Sequence, residues 1–339
     1  MPEAGRFIKI LKQSLTLVLS LAAAAWLLIN IYVTESFTWK EVYDFFSLET
    51  ASQETSTAEE AQPESSFAGE GQEASLATET PLEGELLRVV FLSVGQGDCI
   101  FLSCGGENAF IDAGDLDASG EISAFLGAEG ISELKYLFSS HPHIDHIGSM
   151  DVILNACEVG QYVMTSYSAE QTPTFATYGK LIRQLLEKGT PASVAQPGEV
   201  FALGGAEISV LSAGGFEDLN NSSLVLRCDY GESSFLFTGD IEFECEQTLL
   251  ASGASLDCDV LKIAHHGSDD ATSGAFYAAA SPEIAVICCG LNNQYGFPDT
   301  DVLNIIERSG AALYRTDTDG DVAVLSDGVN ISVTSRAFQ

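Results

Sequence analysis

From Leu86 onward the chain is cut into short apolar runs of strand length. LLRVVFLSV, CIFLSC and AFIDAG come first, separated by GQGD and GGEN turns. Short runs bounded by Gly, Asn and Asp read as strands. Helical pattern follows near Ser119 to Ala128, then a strand, LKYLFSS, that runs straight into HPHIDHIG. Helices are expected at Ser149 to Ala156 and Thr174 to Lys188. A second series begins near Glu199 with EVFAL, AEISVLSA, SLVLRCDY and SSFLFTGD. After it come a helix near Glu242 to Ala251, the strand DVLKIA, a helix near Thr272 to Ala280, the strand EIAVICC and a helix near Thr300 to Arg308. A closing hairpin, DVAVLSDGVNISV, carries Asp-Gly at its turn. Two strand-rich halves, each with helices, predict two packed sheets with helices outside. The class is α/β with a mixed sandwich, not a doubly wound sheet.

The segment before Leu86 has a different character. Arg6, Lys9 and Lys12 precede an uncharged run from Gln13 to Thr34, whose core from Leu15 to Val33 is long enough to cross a bilayer. Basic residues ahead of such a run keep the N-terminus in the cytoplasm. A single-pass anchor is expected, with the folded domain outside; a cleaved signal peptide is the alternative, and the run is long for one. Residues 35–48 read as an amphipathic juxtamembrane helix. From Glu49 to Glu85 there are ten acidic residues and no Lys or Arg, with few large apolar groups. Such a stretch cannot bury enough surface to fold and reads as a self-repelling spacer. The expected organisation is a basic segment 1–13, a transmembrane helix 14–34, a linker region 35–85 and a hydrolase domain 86–339.

Net charge is −35, and the domain after the linker is itself acidic, with 35 acidic against 10 basic residues. This surface repels polyanions at long range, so tight duplex binding by charge alone is excluded. The eight cysteines form no C-x-x-C pair and sit mostly in apolar runs, where they read as buried thiols.

All five histidines fall in two clusters, SHPHIDHIG and IAHHGS. Residues two apart on an extended segment point the same way, so His141 and His143 can hold one cation together. Asp145 and His146, on the turn that follows, can hold a second. Imidazole and carboxylate suit zinc, and also manganese or iron. Asp240 ends SSFLFTGD and can bridge two cations. Asp112, at the end of AFIDAG, reads as a group that orients the histidine loop, or as a turn cap.

HPHIDHIG and FTGD resemble the metal motifs of the metallo-β-lactamase superfamily. FLSVGQGDCIFL, NNSSLVLRCDYGESSFLFTGD, DVLKIAHHGS and the run ending CCGLNNQYGFP resemble, in order, the blocks of the hydrolase domain of ComEC-type competence proteins. The resemblance covers Leu86 to the C-terminus. It implies a metallo-β-lactamase-like αββα four-layer sandwich with a dinuclear metal centre between the sheets, here as a stand-alone, membrane-anchored form. It implies metal-assisted hydrolysis of a phosphodiester, nucleic acid or nucleotide. Asp145 would position water, and His265 or His266 would protonate the leaving group or bind phosphate. Asn221, Ser268 and Asn293 would contact substrate. The sequence departs from the family at Phe297, where a metal-binding His is expected. The second cation would then rest on Asp145, His146 and Asp240, with His265 or His266. Asn220-Asn221-Ser222 occupies the region of a third first-site His. A degenerate binding protein without turnover, or a hydrolase of a lactone, lactam or thioester, is the other reading.

Overall fold

The computed structural model describes residues 85–167 and 176–336. The expected anchor, juxtamembrane helix and spacer lie outside these residues. Among the described residues, no helix is long and apolar enough to cross a membrane.

The first half supplies β1 (Leu87–Phe91), β2 (Ile100–Cys104), β3 (Glu107–Ile111), β4 (Glu133–Ser139), β5 (Glu158–Met164) and β6 (Ala192–Val194). The second supplies β7 (Val200–Leu203), β8 (Ala206–Ser212), β9 (Val225–Tyr230), β10 (Ser233–Phe237), β11 (Val260–Lys262), β12 (Ile284–Ile287) and β13 (Ala312–Arg315). A closing hairpin adds β14 (Asp321–Ser326) and β15 (Ile331–Arg336). One sheet has the order β15-β14-β1-β2-β3-β4-β5-β6, the other β13-β12-β11-β10-β9-β8-β7. Both are mixed. Pairing is antiparallel among β15, β14, β1, β2 and β3 and parallel from β3 to β6. The second sheet is likewise antiparallel from β7 to β10 and parallel from β10 to β13.

Helices cover the outer faces: α1 (Ser119–Glu129), α2 (Ile144–Ile147), α3 (Met150–Ala156) and α4 (Ala176–Lys188) in the first half, then α5 (Phe243–Ser252), α6 (Gly274–Ala280), α7 (Thr300–Ser309) and α8 (Thr316–Asp319). Strand β10 shows why two covered faces are needed. All five of its residues are buried. With side chains alternating along a strand, Phe235 and Phe237 enter the core between the sheets, while Leu236 faces the layer built by Leu249 of α5, Phe276 of α6 and Ile306 of α7. Across the sandwich, Phe91 meets Phe237 at 6.2 Å between ring centroids, and Phe138 meets Phe201 at 5.4 Å. On the outer face of the first sheet, Phe125 of α1 sits edge-on to Phe101 and Phe110. The two packed sheets with helices outside that the strand pattern predicts are therefore present, as the four-layer αββα sandwich.

Five of these elements were not foreseen: α2, β5, β6, β13 and α8. In β5 only the last three residues are fully buried, and Gly160 and Gln161 interrupt the apolar pattern. Gly160 is needed there, because a Cβ would lie 2.9 Å from the Lys135 carbonyl oxygen on the neighbouring strand. All eight cysteines are buried and free, as their apolar settings suggested.

Candidate metal centre

The centre is assembled at one rim of the sandwich by segments that leave β1, β3, β4, β10 and β11 at their C-terminal ends. The segment after β4 carries His141 and His143, with His143 at the N-cap of the single-turn α2. Asp145 and His146 lie within α2. Close packing holds this segment in place. A Cβ at Gly148 would come within 2.5 Å of the Asp115 carbonyl carbon. Gly97 of the GQGD turn, at φ +124°, lies so close to the Asp145 backbone that no Cβ would fit. The neighbouring Asp98 amide donates to the Asp145 carbonyl at 3.2 Å.

Asp112 is fully buried with φ +60°, an unusual backbone for a residue with a side chain. Its carboxylate accepts from the Ser140 amide (2.7 Å) and hydroxyl (2.6 Å) and lies 2.8 Å from His146 Nδ1. It thus fixes the His146 ring with Nε2 turned inward. His266 is fixed in the same way, with Nδ1 donating to the Cys288 carbonyl at 2.8 Å. Both His265 (φ 49°) and His266 (φ 54°) have left-handed backbones, which lets adjacent side chains diverge. His266 turns inward and is 1% exposed; the His265 side chain, 18% exposed, faces the cleft.

These constraints gather ligand atoms around one carboxylate oxygen. Asp240 Oδ2 lies 3.1 Å from His146 Nε2, 3.3 Å from His266 Nε2, 3.8 Å from His141 Nε2 and 3.9 Å from His265 Nε2. His266 Nε2 is also 3.3 Å from Asp145 Oδ2. Asp145, His146, Asp240 and His266 each offer one ligand atom, all within 4.8 Å of one another. His141 Nε2 and His143 Nδ1 stand 3.0 Å apart beside them. Despite these close neighbours, His266 Nε2 and Asp240 Oδ1 are buried without a hydrogen bond. Buried polar atoms left in this state are costly, and a cation held by nitrogen and carboxylate ligands satisfies them. The residues fit a metal.

The electrostatics agree. Burial disfavours charge on His146, but the Asp240 and Asp112 carboxylates outweigh it and hold its pKa well above the usual value. His266 is raised in the same way by Asp240 and Asp145 against its burial. His141 is pushed well below the usual value, chiefly by burial and then by His146. Burial works against ionised Asp240, yet His146 and His266 hold its pKa well down. The carboxylates thus make the site favourable to positive charge.

The cluster opens into a cleft of about 570 Å³ whose lining includes Gln96, His143, Asp145, Asn220, His265 and Ser268. Most residues expected at the site meet here. His141, His143, Asp145, His146 and Asp240 surround the cluster, and Asp112 orients one of its ligands. His266 joins the ligand set, while His265 borders the cleft 3.0 Å from Asp270. Ser268 lines the cleft. Asn221 and Asn293 do not line it. The Asn221 amide donates to Glu242 Oε2, and its oxygen accepts from the amides of Glu242 and Cys245 at the start of α5. Asn220 takes the cleft position instead. Asn293 is spent on its own loop, accepting from the amides of Tyr295 and Phe297 and donating to the carbonyls of Gly290 and Phe297.

Sequence reasoning missed Asp98 and Lys262. Lys262 is completely buried, with Nζ 2.5 Å from Asp98 Oδ2, 3.0 Å from the Gly239 carbonyl and 3.7 Å from Asp240 Oδ1. The available signals were an acid in a glycine turn and a lysine inside an apolar strand.

The family model described as the metallo-beta-lactamase superfamily matches residues 92–291, which contain every residue of this cluster. The chain belongs to the metallo-beta-lactamase superfamily. It is 31% identical over 260 residues to ComE operon protein 3 of Bacillus subtilis, covering 71% of this chain and 33% of that one. It is 29% identical over 235 residues to competence protein ComA of Neisseria gonorrhoeae, covering 68% of this chain and 31% of the relative. The chain thus spans about a third of the length of these curated relatives. Among solved structures, a variant of the CmlA β-hydroxylase shares the fold, with a TM-score of 0.51 and 17% identity over 72% of this chain and 54% of that one. The superfamily fold agrees with the sandwich expected from the sequence.

Proposed function

We propose that this superfamily member is a metal-dependent hydrolase of phosphodiester substrates, acting outside the cytoplasm from an N-terminal membrane anchor. The observation that carries the metal-dependent part is the set of four imidazole nitrogens within 4 Å of Asp240 Oδ2. Asp145, His146, Asp240 and His266 would hold one divalent cation, and His141 and His143 would help to hold a second, with zinc favoured and manganese or iron suited. A bound cation supplies Lewis acidity to a substrate oxygen and acidifies water.

The chain's own groups support the rest. Asp145 is a cluster carboxylate that also lines the cleft, placed to orient an attacking water. His265, braced by Asp270, borders both the cleft and Asp240, where it can bind a substrate oxygen or give a proton to a leaving group. Ser268 offers a hydroxyl to the same space. The phosphodiester itself is supported by similarity to the two competence proteins, and the anchor by the basic start and the apolar run.

The test is the purified full-length chain, assayed for metal content and for hydrolysis of bis(p-nitrophenyl) phosphate beside a lactone and a thioester. Metal-dependent turnover of the phosphodiester alone is expected. Turnover of a lactone or thioester alone would overturn the substrate assignment. For the anchor, protease added to intact cells should remove the domain after Leu86; full protection would reverse the orientation.

A further inference from the structure

We propose that Tyr295 and Phe297 form a stacking platform, beside the metal cluster, for a flat aromatic ring of the substrate: the nucleobase attached to the scissile phosphodiester. The inference rests on the phosphodiester reading and adds the group that selects among such esters.

The two rings lie 5.4 Å apart between centroids and 15° from parallel, an offset stack. Phe297 in turn tilts against the His265 ring at 5.8 Å, and His265 Nε2 is 3.9 Å from Asp240 Oδ2. Three rings therefore lead from the cleft mouth to the cluster. Tyr295 is 58% exposed at the outer end, although a large aromatic gains most from being covered. The platform is also built to stay in place. Asn293 holds the backbone on both sides of the pair, with its oxygen accepting from the Tyr295 (3.2 Å) and Phe297 (3.0 Å) amides and its nitrogen donating to the Phe297 carbonyl (2.7 Å). Two polar groups of one side chain spent on a loop leave the rings pre-organised, which lowers the ordering cost of binding.

Charge points to the same occupant. Among the described residues that line the cleft, the charged groups other than histidine are Asp145, Asp240 and Asp270, and none is Lys or Arg. A phosphodiester entering here finds no Lys or Arg to grip its backbone. Beyond what a cation, His265 and Ser268 supply at the phosphate, further binding must come from the rest of the ester, and the exposed aromatic face is the large apolar contact that the cleft offers it. Stacking tolerates any base because every base has a π face, and it requires that base to be unpaired. The platform therefore fits a nucleoside ester or a single strand and gives no purchase on a duplex.

The experiment compares two esters with the same leaving group, thymidine 5′-(p-nitrophenyl phosphate) and methyl p-nitrophenyl phosphate, on the metal-loaded full-length chain. Wild type should favour the thymidine ester in kcat/KM by about 5- to 150-fold, which corresponds to about 1–3 kcal/mol of base stacking. The preference should appear mainly in KM. Tyr295→Ala and Phe297→Leu should collapse it towards one, and Tyr295→Trp should keep it. Tyr295→Trp also gives a readout without turnover, since thymidine 5′-monophosphate should quench the new indole in metal-free protein. Equal kcat/KM for the two esters in wild type, or a preference that survives Tyr295→Ala, would overturn the platform and leave the phosphodiester reading standing. Hydrolysis of neither ester would overturn both.

Discussion

The Nε2 atom of His266 lies 3.3 Å from Oδ2 of Asp240. Its ring is fixed from behind by the Cys288 carbonyl, so that nitrogen has nowhere else to point. With the same atom 3.3 Å from Asp145, His266 adds a fourth candidate ligand to Asp145, His146 and Asp240 without any from position 297. His266→Ala should therefore lose one bound cation per chain, and Phe297→His should gain none. Elemental analysis of wild type and both variants decides the matter. A second cation appearing only with Phe297→His would show that His266 does not complete the site.

Lys262 is a cation built permanently into the floor of the cluster. Burial disfavours its charge, but Asp98 and Asp240 outweigh burial and raise its pKa above the usual value, which holds the lysine in its charged form. Removing one partner of a buried pair leaves an uncompensated charge, which costs about 3–5 kcal/mol. Lys262→Met should lower the unfolding free energy by that order in urea titrations. Adding Asp98→Asn should restore part of the loss, because it removes the stranded carboxylate. A double variant no more stable than the single one would mean that the lysine acts through Asp240 alone.

Much of this centre was legible in the sequence because its ligands are consecutive. His141, His143, Asp145 and His146 announce themselves within six positions, and Asp240 and Asp112 each end an apolar run. What was not legible depends on which way a side chain turns. Nothing in Asn220-Asn221 tells which amide faces the cleft; the start of α5 needs an acceptor for its free amides, and Asn221 supplies it. His265 and His266 are likewise equivalent on paper and separated only by their left-handed backbones. Asp98 and Lys262 are far apart in sequence and meet only when β1 and β11 come from different sheets to the same rim. Strands β5 and β13 escaped because partly exposed strands lack a continuous apolar run.

Glu246 gives the fold a pH dependence separate from the metal cluster. It is fully buried in α5, with Oε2 accepting from the Ser273 amide at 2.9 Å and Oε1 without a hydrogen bond. Burial raises its pKa above the usual glutamate value, against the opposing hydrogen bonds from Ser273. The folded state thus binds this proton more tightly than the unfolded state does. Its contribution to stability is present below the unfolded value and is lost as pH rises through the folded one. Glu246→Gln keeps the acceptor and removes the charge, so its melting temperature should exceed that of wild type at pH 7 and converge with it below about pH 4, where both side chains are neutral. Equal melting temperatures at pH 7 would show that the buried carboxylate is fully compensated.

Salt should have little effect on turnover. Polyanion binding weakens with salt in proportion to the phosphates neutralised by Lys and Arg. With no such side chain among the described residues of the cleft, kcat/KM for a short single strand should vary by less than about threefold between 50 and 200 mM KCl, against the 10³–10⁵ lost by proteins with many phosphate contacts. A steep slope would place a basic surface outside the cleft in the binding path.

Asn293 separates a loop brace from a substrate contact. All four of its side-chain hydrogen bonds stay within residues 290–297, and three of them hold the backbone of the aromatic pair. Asn293→Ala should remove them together and free the Tyr295 and Phe297 backbone, at a cost of about 1–3 kcal/mol in stability. Metal content should be unchanged, because no cluster ligand touches this side chain. KM for a thymidine ester should rise while kcat changes less, since the rings are misplaced and the cluster is intact. Asn293→Asp is the informative companion. It keeps the oxygen that accepts from Tyr295 and Phe297 but sets a second carboxylate oxygen against the Gly290 and Phe297 carbonyls, so a brace should lose stability here too. A residue that gripped the phosphate instead would raise KM in both variants with the melting temperature unchanged. The melting temperature, falling with the rise in KM or standing still beside it, tells the two roles apart.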